Sequence, residues 1–320
     1  MSPLPDGTDP VDSAPAESAM QSAPADSTAP ADLTASGNLR RRAAISRVVD
    51  ASATASALLA VAVLGVLVFG VVKQGASSLS FDFLTENPPQ FGGPGGGIAS
   101  AIVGTVLIVT LAAMMAVPIG VLAALYLTEF AGRRSGFARV LKMALDLMQG
   151  LPTVVVGLFV FGLLVAGHGN SGFAGSVALA IVMLPLIARS SQEVLLLVPH
   201  SLREAAEALG VSRWRTVVGV ILPAALSGIV TGSILAIARA AGETAPLLFV
   251  DSLYTPGVQL NLFGHAVPNI PVMIFTLSEG ADPSGVARAW GAALVLLAVI
   301  LAANIGARVL LARSRRRTMG

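Results

Sequence analysis

Residues 201–223 read SLREAAEALGVSRWRTVVGVILP, and the rest of the chain is organised around them. Ser201 with Glu204 three positions on has the spacing of a capping box, and Gly210 suits the left-handed position that closes a helix. The stretch therefore predicts two short helices around a turn. After Trp214 the side chains become apolar, and an apolar run also ends just before the stretch begins. A polar connection of this kind between two apolar runs either lies along a bilayer surface as an amphipathic linker or fits a groove on a partner.

The two flanking runs, 173–197 and 217–241, are two of six stretches long enough to span a membrane; the others are 53–72, 98–127, 141–165 and 289–311. About 20 apolar residues cross a hydrocarbon core roughly 30 Å thick. Composition agrees: 54% of residues are hydrophobic and 12% charged, where a soluble domain carries about a quarter charged. The expected fold is all-α, a polytopic membrane protein of six transmembrane helices occupying residues 40–320. Cysteine is absent, which removes disulfides and thiolate chemistry, and the three histidines, His168, His200 and His265, are too scattered to make a metal site. No metal and no catalytic residue is expected.

The net charge of +2 hides a split. Residues 1–39 hold six acids and no Lys or Arg, so the remainder is +8 from 20 basic and 12 acidic residues. Those first 39 residues, rich in Ala, Pro, Ser and Asp without hydrophobic periodicity, are expected to be a disordered cytoplasmic tail. Arg40, Arg41, Arg42 and Arg47 follow, then an apolar stretch of full spanning length, so the segment reads as an anchor that is retained and not as a cleaved signal peptide. Further basic clusters lie between spans 2 and 3 (Arg133, Arg134, Arg139, Lys142), between 4 and 5 (Arg203, Arg213, Arg215) and after 6 (Arg313, Arg315, Arg316, Arg317). Basic residues in alternate connections place both termini and residues 201–223 in the cytoplasm, at the cytoplasmic membrane, and account for the surplus charge without nucleic acid.

The outer connections are 73–97, a tight turn near 168–172, and 243–288. The last contains an apolar patch, 270–277, too short to span and suited to a re-entrant or interfacial helix. Ahead of span 2, Gly92-Gly-Pro-Gly-Gly-Gly97 reads as a flexible hinge more than as an anion-binding helix N-terminus. Pro118 and Gly120 offer a bend within span 2. The only lysines are Lys73 and Lys142, and neither stands in a G-x-x-x-x-G-K-[ST] loop, so ATP hydrolysis would fall to another subunit.

Charges inside spans are costly and mark candidate pathways. Arg189 and Glu193 lie four apart in span 4, and Arg239 and Glu243 four apart at the outer end of span 5, so each pair shares a helical face. Each is either an internal ion pair that makes a charge tolerable, or a site where a guanidinium fork meets a tetrahedral oxyanion while the acid keeps binding weak enough for release.

Glu204, Ala205, Ala206, Gly210, Val220, Leu222 and Pro223 resemble the EAA motif of ABC importer permeases. Four further stretches are similar to the PstA-type permease subunits of bacterial phosphate importers: RAAGETAPLLF at 239–249, GGIASAIVGT at 96–105, GLPTVVVGLF at 150–159, and WGAALV at 290–295 with Asn304. The similarity covers most of residues 90–305, does not reach the tail before Arg40, and departs at Gln192, where such permeases usually carry an acid. It implies a type I ABC importer permease fold. It also implies a coupling helix bearing Glu204, Ala205 and Ala206 that docks on an ATPase, and alternating access in a permease without an ATPase site of its own. The implied partners are a PstC-like second permease, a PstB-like ATPase dimer that binds ATP and Mg, a PstS-like phosphate-binding protein and membrane lipid. An importer permease for phosphonate, molybdate or sulfate, a proton-coupled secondary anion transporter, and a membrane sensor are the alternatives, though no internal repeat of the kind common in secondary transporters is evident.

Overall fold

The computed structural model describes residues 38–89, 95–132, 134–251, 257–280 and 282–318. The expected tail lies outside the described residues, apart from positions 38 and 39. The chain divides into two units, Met1–Val63 and Leu64–Gly320.

In the first unit every described residue is helical. Helix α1, Asn38–Gly75, begins there and takes in Arg40, Arg41, Arg42 and Arg47, so the basic cluster expected to precede the first span is part of its helix. Nothing in this stretch breaks it, since Pro is absent from Asn38 to Gly75 and the first glycine is Gly65.

The second unit contains the end of α1 and eleven further helices among the described residues. These are α2 (Phe81–Thr85), α3 (Ala99–Leu125), α4 (Gly136–Gly150), α5 (Thr153–Val160), α6 (Gly172–Leu196), α7 (His200–Ala208), α8 (Arg213–Thr216), α9 (Leu222–Ala240), α10 (Ala245–Val250), α11 (Ile270–Glu279) and α12 (Pro283–Thr318). Three wide π turns extend them: Tyr126–Phe130 after α3, Phe161–Val165 after α5, and Val217–Ile221 between α8 and α9.

Five helical stretches are long and apolar enough to cross a membrane: Arg41–Ser78, Ala99–Phe130, Gly172–Leu196, Arg213–Ala240 and Pro283–Val309. The expected third span is different. Its residues form two helices bent by 104° at Leu151 and Pro152, which make a sixth crossing only if taken together. The cause is local. The ring of Pro152 disfavours the helical conformation at the residue before it, and Leu151 is extended at φ −72°, ψ 134°. The short apolar patch expected near 270–277 is α11, opened by Asn269, whose side chain accepts from Val272 N–H, and carrying Pro271 in its first turn.

α3 packs along α6, α6 along α9, and α9 against α12. Their shared core is Ile108, Ala112 and Ala116 from α3, Leu179, Met183 and Ile187 from α6, and Ala236 and Ala240 from α9. The many alanines let backbones approach closely, which is how helices associate in lipid, where apolar burial alone drives little. A second cluster joins Ala124 and Leu125 of α3 to Leu195 and Val198 at the end of α6, and to Val217, Ile221 and Ala225 leading into α9. This cluster anchors α7 and α8.

At the opposite end, the connection from α10 to α11 folds over α6. Gly172 and Phe173 N–H groups donate to the carbonyls of His265 and Leu262, and Phe173 stacks on Phe263 at 5.0 Å. Asp251 holds this connection. Its carboxylate accepts Val267 N–H at 2.7 Å and Asn269 Nδ2 at 3.2 Å. Burial pushes its carboxyl up to about 7, against the lowering effect of those two hydrogen bonds.

Candidate functional site

Residues 199–223 form the corner expected from their sequence, with one change. α7 starts at His200 behind Pro199, which makes no side-chain cap. Ser201 is therefore already inside the helix and does not cap it. The helix ends as Gly210 predicts: Gly210 has φ +69°, Val211 N–H bonds to Ala206 carbonyl at 3.0 Å, and Gly210 N–H to Glu207 carbonyl at 2.9 Å. That is a Schellman closure, and it turns the chain sharply into α8. Glu204 and Ala205 are exposed, whereas Ala206 is buried. The two alanines thus face opposite ways, one available to a partner and one packed inward.

Leu222 and Pro223 lie where the corner enters the long helix. Leu222 N–H reaches back to Val217 carbonyl, closing a π turn, and Pro223 stands immediately after it. A proline has no N–H to give to the helix ladder and its ring crowds the preceding turn; the wide turn absorbs both defects without breaking the helix.

Two residues not singled out by sequence tie this corner to α3. Arg203, on α7, grips Glu129 in the π turn after α3, donating from Nη2 to Oε1 at 2.6 Å and from Nε to Oε2 at 3.2 Å. The same guanidinium donates to Val198 carbonyl at 2.7 Å and to Leu195 carbonyl at 3.1 Å, at the end of α6. The Glu129 side chain is 5% exposed and that of Arg203 18%. The hydrogen bonds that Arg203 donates to Glu129 hold its pKa above the ordinary value, against the opposing effect of burial. Phe130 and Trp214, with ring centroids 6.2 Å apart, add an aromatic contact between α3 and α8. A recess of about 140 Å³ beside the ion pair is lined also by Glu207, Arg213 and Thr216. A lone acid just past an apolar span was the available signal for Glu129.

The charged pairs of the spans come out differently from one another. Arg239 Nε lies 3.8 Å from Glu243 Oε1, with the guanidinium side chain 65% exposed and the acid 18%. The pair meets although α9 ends at Ala240 and Glu243 lies in the turn beyond it, not on the helical face its spacing of four suggested, and the cation is turned outward. Arg189 instead pairs with Asp146 on α4, while Glu193 is exposed one turn along. The expected Arg189–Glu193 partnership is thus replaced by one between helices, because α4 packs on α6 and brings Asp146 within reach. Ser190 lies against Gly232 of α9, which sets Arg189 at that level. Arg239 is seven residues further along α9, or roughly 10 Å at the helical rise. The two arginines are therefore anchored at different levels of the bundle.

Two of the similar stretches noted in the sequence meet directly, and the other two contact further segments. Gly157 of α5 lies against Pro246 of α10, where a Cβ would come within 2.7 Å of Pro246 Cα. Thr105 of α3 accepts Ile270 N–H at 2.9 Å. Gly75 at the end of α1 abuts Trp290.

A bundle of membrane-length helices with an exposed, glycine-closed helix pair at one end is the architecture of an importer permease, and the chain belongs to the family of binding-protein-dependent transport system inner membrane components, whose pattern residues 116–317 match. It is a multi-pass membrane protein. Among its relatives, phosphate transport system permease protein PstA of Yersinia pestis is 40% identical over 250 residues, covering 78% of this chain and 84% of that protein. PstA 1 of Mycobacterium tuberculosis is 40% identical over 234 residues, 72% of this chain and 74% of that one. A bacterial ABC transporter that imports the acidic polysaccharide alginate superposes with a TM-score of 0.58 at 17% identity, over 85% of this chain and 99% of its own. The MetNI methionine ABC transporter in its inward-facing form gives 0.54 at 17% identity, over 68% and 94%. These likenesses establish the type I ABC importer permease fold.

Proposed function

We propose that this chain is one of two permease subunits of an ATP-driven importer that carries inorganic phosphate across the cytoplasmic membrane. The observation that carries the reading is the Arg239–Glu243 pair: an exposed guanidinium at the end of α9 beside a mostly buried carboxylate 3.8 Å away. The 40% identity to phosphate permeases named PstA supports the choice of anion.

A guanidinium offers a planar fork of N–H donors that matches two oxygens of a tetrahedral oxyanion. The adjacent carboxylate lowers the net attraction, so phosphate is captured at Arg239 and also released. Arg189, deeper in the bundle and balanced by Asp146, offers a second cation along the path. The α7 end faces the cytoplasm together with both termini. There Glu204 and Ala205 dock on a homodimeric ATPase that binds ATP and Mg, since this chain supplies no nucleotide site. A second permease completes the pathway, and an extracytoplasmic phosphate-binding protein delivers its cargo to the outer segments around α10 and α11. Closure of the ATPase dimer opens the bundle outward, and hydrolysis resets it inward.

The test is ATP-dependent uptake of labelled phosphate, with sulfate and molybdate as competitors, in vesicles carrying the reconstituted complex, comparing the natural chain with Arg239→Gln. Phosphate-selective uptake that collapses in an intact Arg239→Gln complex supports the reading. Selective uptake of another oxyanion replaces the substrate, and unchanged uptake in the variant removes Arg239 from the path.

A further inference from the structure

The Arg203–Glu129 ion pair occupies a position that neither docking nor anion passage accounts for. Arg203 belongs to the corner helix α7, and Glu129 to the end of α3. The carboxylate is 5% exposed and meets the fork in two-point fashion. A carboxylate so buried cannot be parted from the Arg203 cation without being left charged in a poorly hydrated site, a far worse state than the paired one. The guanidinium is equally committed, because its remaining donors hold the Leu195 and Val198 carbonyls at the end of α6. Displacing α7 therefore drags Glu129, and Glu129 drags α3.

What α3 does with that displacement is set at its other end. Thr105 Oγ1 accepts the N–H of Ile270, the first residue of α11. Glu129 lies 24 residues beyond Thr105, so roughly 36 Å of continuous helix, with Pro118 inside it, joins the two. The path from corner to outer helix thus runs Arg203, Glu129, α3, Thr105, α11, with a hydrogen bond at each joint. The Phe130–Trp214 contact reinforces the first joint, since it links the same end of α3 to α8.

We propose that Arg203 is a positioning residue that converts movement of α7 into movement of α3, through its fork on Glu129, and so couples the ATPase cycle to opening at the outer face. The proposal rests on α7 being the docking helix of the ATPase. It separates two duties within nine residues of α7: Glu204 and Ala205 make the contact, and Arg203 transmits it.

The experiment measures three things on the reconstituted complex for Glu129→Gln and for Arg203→Lys. They are co-purification of the ATPase, hydrolysis stimulated by loaded binding protein, and phosphate imported per ATP hydrolysed. Arg203→Lys keeps the charge but loses the fork, and so remains informative if Glu129→Gln does not assemble. The expected result is normal co-purification with a fall of about fivefold or more in phosphate imported per ATP, because a point charge cannot replace two-point contact plus two carbonyl bonds. A ratio equal to that of the natural chain, with or without a lower yield of complex, overturns the proposal, since a purely structural contact alters yield and not stoichiometry. Loss of the ATPase from these variants overturns it too, by placing Arg203 in docking. If the natural chain itself fails to retain an ATPase, the reading of α7 falls first and this inference with it.

Discussion

Arg189 forms its ion pair with Asp146 of α4 and not with Glu193, one turn along its own helix. The bent pair α4 and α5 is thereby pinned to the central helix α6 by charge as well as by packing. Glu193→Gln is expected to leave phosphate uptake within about twofold, while Asp146→Asn lowers it by about fivefold or more, because the half-buried guanidinium is left without its carboxylate. Uptake normalised to inserted permease distinguishes the two, and equal effects would return Arg189 to Glu193.

The contact of Gly157 with Pro246 predicts a steric result. A Cβ at 157 meets Pro246 backbone atoms at 2.7 and 2.8 Å, while one at Gly162 meets nothing within 4 Å. Gly157→Ala is expected to cost about 1–3 kcal/mol, the usual penalty of overpacking, and Gly162→Ala to cost nothing comparable. Thermal unfolding of the purified chain in detergent checks both; a Gly157→Ala midpoint equal to the natural one contradicts the packing.

Ala205 and Ala206 make opposite predictions. Ala205→Trp, on the exposed side of α7, is expected to leave the permease folded and to abolish its retention of the ATPase, as is Glu204→Lys. Ala206→Trp, on the buried side, is expected to lower the amount of folded permease itself. Gly210→Pro is expected to abolish transport, since φ +69° lies outside what a proline ring permits. Membrane fractionation with ATPase co-purification reads the first three, and phosphate uptake reads the last.

The corner helices, the glycine closure and the spans were legible because each is written locally: an apolar run of membrane length, a glycine after a helix. The break within the third span was not legible, because counting apolar residues from 141 to 165 is blind to what Pro152 does to Leu151. The Arg203–Glu129 pair was not legible for a different reason. Its partners are 74 residues apart, and only the packing of α3 on α6 brings them together. Arg189 shows the limit of spacing rules: a separation of four places Glu193 on the same face, yet the long arginine side chain reaches a neighbouring helix instead.

Asp251 predicts a pH dependence of stability. Its carboxyl is raised from 3.8 to about 7. Near pH 3 it is protonated in both folded and unfolded chains. Between about 4 and 7 the unfolded chain releases the proton and the folded chain keeps it, so stability falls as pH rises and levels off above 7. The full change is up to about 4 kcal/mol. Comparing thermal midpoints from pH 4 to 8 for the natural chain and Asp251→Asn isolates this contribution from the other carboxylates, and the difference between the two is expected to change across that window. A constant difference would mean that Asp251 is ionised throughout.

The π turn at Val217–Ile221 holds one residue more than an α turn needs. Should it tighten to α pitch, everything beyond it, Arg239 included, would rotate by about 100° about the axis of α9 relative to α8. A force applied at the corner therefore has a second way to act on Arg239 and the anion path proposed there, as torque, and a spin label at exposed Leu235 would register that rotation even where no helix changes its tilt.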